Sequence, residues 1–90
     1  MHFTWDERKA ATNLAKRGVT FEEAATAFRD PLALVEPDAT HEDRLVLLGE
    51  TSGSRLLFVV HVEIDEDELV RLISARTATP HERRRYEESP

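Results

Sequence analysis

Ninety residues with a formal net charge of −6, 40 % hydrophobic and 33 % charged side chains, describe one globular domain spanning the whole chain, 1–90. An acidic chain has no long-range attraction for phosphate, which argues against a general nucleic-acid binder. There is no cysteine, the four histidines lack metal-ligand spacing, and neither a signal-type apolar segment nor a membrane-length run is present; a cytoplasmic protein with no metal, no cofactor and no membrane association is expected.

In chain order, "FTWD" reads as a brief strand feeding a helix over "DERKAATNLAKRG". Asp6 is its N-cap, Ala11, Leu14 and Ala15 its apolar stripe, and Gly18 its left-handed terminator. "VTFEEAATAFRDP" is a second helix, with Thr20 and Glu23 as a capping box and Pro31 ending it. So short a turn between the two predicts an antiparallel helical hairpin. The period then changes to two. "LALVEP", "RLVLLGET", "RLLFVVHVEI" and "LVRLISARTA" are strands, the middle pair joined around Ser52-Gly53, with Gly53 supplying positive φ. The acidic "EIDEDE" makes the next turn. Thr79, Pro80 and Glu82 start a short terminal helix over "PHERRRYEES". The expected fold class is α+β: an N-terminal helical hairpin on a four-stranded antiparallel sheet, with a short C-terminal helix.

Charge is uneven along this chain. From Leu69 onward, five arginines face three glutamates, a local sign that suits an anionic ligand met at short range.

The stretches "FTWDERKAATNLAKRGVTFEEAATAFRDPLA", "HEDRLVLLGET", "RLLFVVHVE" and "RLISARTATPHERRRYEE" resemble the BrnT family over Phe3 to Glu88. The resemblance implies a toxin of a type II toxin–antitoxin module with a RelE-like fold: an endoribonuclease that stops translation. It also implies a BrnA-like ribbon–helix–helix antitoxin, through which DNA is contacted only indirectly. Arg17 stands where the family pattern has histidine, and Val62 and Ile64 where it carries threonine and arginine. Loss of those polar groups makes a relic that binds its antitoxin without cutting the alternative reading. A small scaffold domain is a third.

Cutting RNA by 2′-hydroxyl attack needs a group to manage the 2′-proton, cations for the phosphorane and a donor for the leaving oxygen. Arg76, which matches the family motif, is the expected phosphate clamp; its plainer role is a strand-end ion pair. Arg71, five residues earlier, falls on the opposite face of a straight strand and is set aside. Leu56, Phe58, Val60 and Val62 share one face, taken as the core. Arg55, Leu57, Val59 and His61 share the other, which leaves His61 on the open side as the acid–base group. Arg44 opens its strand on one sheet face and completes the catalytic set with Tyr86, which shares a helix face with Glu82 and Arg83. Arg83 and Arg55 are assigned to RNA phosphate. Tyr86 has packing on the sheet as its alternative, and His61 a place in the core. Lys9 and Asn13 read as helix structure or antitoxin contact.

Overall fold

The computed structural model describes residues 1–65 and 68–89. Strand β1 (His2–Thr4) leads into helix α1 (Glu7–Arg17). The Asp6 carboxylate accepts the amides of Arg8 at 2.8 Å and Lys9 at 3.3 Å, satisfying donors that the first turn leaves unpaired. At its far end Gly18 takes φ 69° and donates to the Leu14 carbonyl at 2.9 Å. Helix α2 (Phe21–Thr26) starts on Thr20, whose hydroxyl accepts the Glu23 amide at 3.0 Å, and tightens into a 3-10 turn over Ala27–Arg29. Strands β2 (Leu34–Pro37), β3 (Leu45–Glu50), β4 (Leu56–Glu63) and β5 (Leu69–Thr77) follow, then helix α3 (Pro80–Glu88). Both halves of the Thr79–Glu82 capping box are formed, at 3.2 and 2.9 Å. No helix among the described residues is long and apolar enough to cross a membrane.

The strands form one five-stranded mixed sheet in the order β1-β5-β4-β3-β2. The expected antiparallel meander is there, but "HFT" adds a fifth strand, pairing parallel to β5 with Phe3 opposite Val70. Nor do the first two helices make a hairpin packed along each other; both lie against β5. Helix α2 lasts too few turns before the 3-10 segment to build a long seam with α1. The acidic turn expected after Glu63 includes Glu66 and Asp67, which lie outside the described residues.

Alternation along β4 sorts the sheet into two faces. Leu57 and Val59 point beneath α1 and α2, joining Val19, Phe21, Ala24, Ala27, Leu47, Leu72 and Ala75 in the main core. At Gly49 the 3-10 turn comes so close that a Cβ would lie 2.8 Å from the Ala27 carbonyl oxygen. The opposite face carries Phe58, Val60 and Val62, and α3 crosses it over β3; Val46 and Leu48 of β3 and Leu56 of β4 are buried there. The face expected to be open is therefore the more deeply covered one. Alternation separates the two faces as expected, but α1 and α2 cover the Leu57–Val59 side while the short α3 shields only part of the other.

Two further local expectations change. In the β3–β4 turn the left-handed residue is Ser54 (φ 69°), not Gly53. On α1 the expected apolar stripe is turned outward, with Leu14 49 % exposed, and the buried residue of the helix is Asn13. Its amide donates to the carbonyls of Val19 and Ala75, each at 2.9 Å, and its oxygen accepts the Ala75 amide at 3.0 Å. Strand β1 pairs with β5 only as far as Arg71, so past that point Asn13 stands in for a neighbouring strand at Ala75.

Candidate functional site

Four of the six predicted site residues lie on or beside the α3 face. Arg76 ends β5 opposite Phe58, and its guanidinium lies 4.0 Å from the Phe58 ring centroid, a cation–π stack. Its two terminal nitrogens meet the two Glu82 carboxylate oxygens at 2.8 and 2.9 Å, and one also reaches the Thr77 carbonyl at 3.2 Å. That bond from Arg76 is the main reason the Glu82 carboxyl sits below its ordinary value; burial opposes it and the Thr79 amide assists. A planar fork that takes a carboxylate in this way presents the geometry a phosphate also needs.

Arg71 belongs to the same face, against expectation. The β4–β5 register shifts at Val60/His61: Val60 is opposite Ser74 while His61 is opposite Leu72. Ile73 is thus an extra residue on β5, a β-bulge that resets the alternation. Arg71 stands opposite Val62 and Arg76 opposite Phe58, and Val62 and Phe58 share a face. Arg44 precedes Leu45, the partner of His61, so the register continued by one residue sets it on the far side of Val62. Arg44 and Arg71 thereby flank Val62 across neighbouring strands, about 10 Å apart at two strand spacings. Among the described residues no ion pair engages either, although Arg44 is close enough to help lower the Asp38 carboxyl, which the Thr40 amide lowers most.

Tyr86 sits at the other end of α3, its hydroxyl donating to Asp30 Oδ2. Burial, with the neighbouring Asp30 and Glu50 carboxylates, pushes its phenol up to about 12. Burial alone would raise Asp30, but bonds from Tyr86, the Glu50 amide (2.8 Å) and the Leu32 amide (2.9 Å) outweigh it and hold that carboxyl low. Together with the Arg85–Glu36 pair to β2, this contact moors α3 to the sheet. The structure therefore places Tyr86 in a tether and separates it from the arginine cluster. Arg83 is exposed, 3.9 Å from Glu87.

The remaining two predicted residues are elsewhere. His61 is 2 % exposed beneath the helices, its ring edge-on to Phe28 with centroids 4.9 Å apart and Nδ1 3.2 Å from the Val59 carbonyl oxygen. Burial pushes its imidazole below the ordinary value, against the opposing influence of the Val59 carbonyl and Glu63. The expectation of a solvent-facing His61 is overturned, because its face is the one the helices cover. Arg55 grips the Glu23 carboxylate through two nitrogens, one at 2.8 Å, and reaches the Gly18 carbonyl at 3.1 Å. It closes the start of β4 onto α2 instead of facing a ligand. Arg71 was the residue missed. Nothing in "RLISAR" announces a bulge, since neither Ile73 nor Ser74 is a residue that bulges demand.

Residues 5–82 match the family described as "Ribonuclease toxin, BrnT, of type II toxin-antitoxin system". No match was found among curated proteins. Among solved structures, the 1.1 Å crystal structure of the Brucella abortus ribonuclease toxin BrnT superposes with a TM-score of 0.70 at 32 % identity, covering 88 % of this chain and 97 % of that one. With that extent of match, and a toxin of known structure sharing its fold, the chain belongs to the BrnT family of ribonuclease toxins of type II toxin–antitoxin systems.

Proposed function

We propose that the chain is a RelE-like, metal-independent endoribonuclease that cleaves RNA on the face bearing Arg44, Arg71 and Arg76, and so inhibits translation in the cytoplasm. The observation that carries this reading is the bulge at Ile73, which gathers three arginines around Val60, Val62 and Ser74. In the proposed step the 2′-oxygen attacks the adjacent phosphorus, the bond to the 5′-oxygen breaks, and a 2′,3′-cyclic phosphate forms. The 2′-proton leaves to water and the 5′-oxygen takes one up. The arginines stabilise the charge that builds on the phosphorane oxygens. Phosphate reaches Arg76 by displacing the Glu82 carboxylate from its fork. His61 has no part in this scheme, and Tyr86 and Arg83 act through the placement of α3.

The partner in this reading is a BrnA-like ribbon–helix–helix antitoxin that covers the half-exposed Phe58, Val60 and Val62 and offers carboxylates to the arginines. Leu57 and Val59, on the other face, are fully buried and take no part in this contact. A second reading, a toxin relic that binds the antitoxin without cutting, draws support from Arg76 being held by Glu82 and from the burial of His61. Incubation of purified protein with RNA in EDTA separates them. Cleavage with cyclic-phosphate ends supports the enzyme; intact RNA, with or without Mg²⁺, leaves the relic.

A further inference from the structure

A second cationic feature lies outside that cluster. Arg8, Lys9, Thr12, Asn13, Lys16 and Arg17 on α1 form one wall of a groove of about 300 Å³, and Ile73 and Ser74 of β5 form the other. Four cations line it, all exposed, and among the described residues none of them has a carboxylate partner. The nearby acids are turned elsewhere. Asp6 caps the helix, and Glu7 accepts the Trp5 indole N–H at 3.0 Å and borders a different depression, between α1 and α2. A protein of net charge −6 thus concentrates unpaired positive charge along one wall.

We propose that this groove binds the ribose–phosphate backbone of single-stranded RNA and carries the strand to the arginine face, an inference that rests on the cleavage reading above. Its position supports this. Ser74 lies in both places: it lines the groove and, opposite Val60, sits on the arginine face. Two residues of strand, about 6.6 Å, separate it from Arg76. Spacing agrees as well. Arg8 and Lys9 stand at one end of the wall, and Lys16 and Arg17 at the other, about 13 Å along the helix axis. A stacked strand advances about 3.4 Å per nucleotide, so the row spans about four phosphates. A peptide occupant fits less well. The Asn13 amide already holds the Ala75 peptide group, which blocks strand addition there. Ile73 is the sole large apolar side chain in the lining, so the groove has little to anchor a helix.

The test uses the full chain and a single-stranded RNA oligonucleotide methylated at every 2′-oxygen, so that binding is read without cleavage. Dissociation constants are measured against salt for the wild type, for R8Q/K9Q/K16Q/R17Q, and for R29Q as a single surface charge outside the groove. Circular dichroism and thermal unfolding establish that each variant is folded. For the quadruple variant the slope of log affinity against log salt should fall by about 2 to 3, near 0.7 per lost phosphate contact, with affinity down at least tenfold. R29Q should leave the slope unchanged. An unaltered slope and affinity in the quadruple variant overturn the groove, as does intact RNA binding with loss of antitoxin binding, which would make it a protein-docking surface. Wild-type cleavage of unmodified RNA with binding indifferent to the four cations sinks the groove alone. Groove-dependent binding without any cleavage sinks the cleavage reading alone.

Discussion

The side-chain amide of Asn13 is hydrogen-bonded at both its oxygen and its nitrogen to the peptide group of Ala75, sixty-two residues away in sequence. One polar side chain thereby completes a sheet edge that no strand reaches. Replacement by alanine should leave buried donors and acceptors unpaired, at roughly 1–3 kcal/mol for each group not recovered by water. Asn13→Asp should be worse than its isosteric shape suggests, because a carboxylate cannot donate to the Val19 and Ala75 carbonyls. Urea unfolding of both variants measures the loss; wild-type midpoints would show that water replaces the amide.

Gly49 lies under the 3-10 turn with no room for a methyl group. An added Cβ would meet the Ala27 carbonyl oxygen at 2.8 Å and the Leu47 side chain at 2.9 Å, and the first of these is backbone that cannot rotate away. Gly49→Ala should therefore cost about 1–3 kcal/mol through overpacking, although alanine suits a strand no worse than glycine. Thermal unfolding is the check, and an unshifted or raised midpoint would contradict the close approach.

His61 sets a pH dependence of stability. Its imidazole is pushed below the ordinary value chiefly by burial. The unfolded chain takes up this proton near pH 6.5 and the folded one only at lower pH. The stabilising contribution is thus complete above about 6.5 and declines as pH falls toward the folded value. His61→Leu should remove that decline, leaving the separate loss at lower pH from Glu23, Asp30 and Glu82, whose carboxyls are held low. Unfolding at stepped pH reads both windows. An unchanged pH profile in the variant would place the titration elsewhere.

The two kinds of arginine should separate in paired measurements. Arg71→Ala and Arg44→Ala should each lower RNA cleavage by roughly 10²–10³-fold if they hold the phosphorane, with unfolding midpoints close to wild type. Arg55→Ala should do the reverse, costing about 1 kcal/mol because its guanidinium is part-exposed, with cleavage per folded molecule unchanged. Loss of cleavage in Arg55→Ala would return that residue to the site.

Much of this was legible in the chain. The caps at Asp6, Gly18, Thr20 and Thr79 were readable because each depends on a few neighbouring residues. Strand parity was equally local, which is why Phe58 and His61 were correctly set on opposite faces. What alternation could not supply was which face the helices cover, a tertiary fact, and on that point His61, Leu57 and Val59 were misplaced. Arg71 was lost to a one-residue bulge that no glycine announces. The role of Asn13 is not legible locally, since its partner Ala75 lies in the last strand.

The parallel pairing of β1 with β5 has a kinetic meaning. His2, Phe3 and Thr4 find their partners only at Leu69, Val70 and Arg71, and the meander between them can form earlier from neighbouring hairpins. During synthesis β1 must wait for β5, the last strand, before the sheet is complete. This chain cannot assemble its arginine face before β5 has emerged, because Arg71 and Arg76 lie on that strand. On the proposed reading, a nascent chain cannot cut RNA before β5 has emerged and paired.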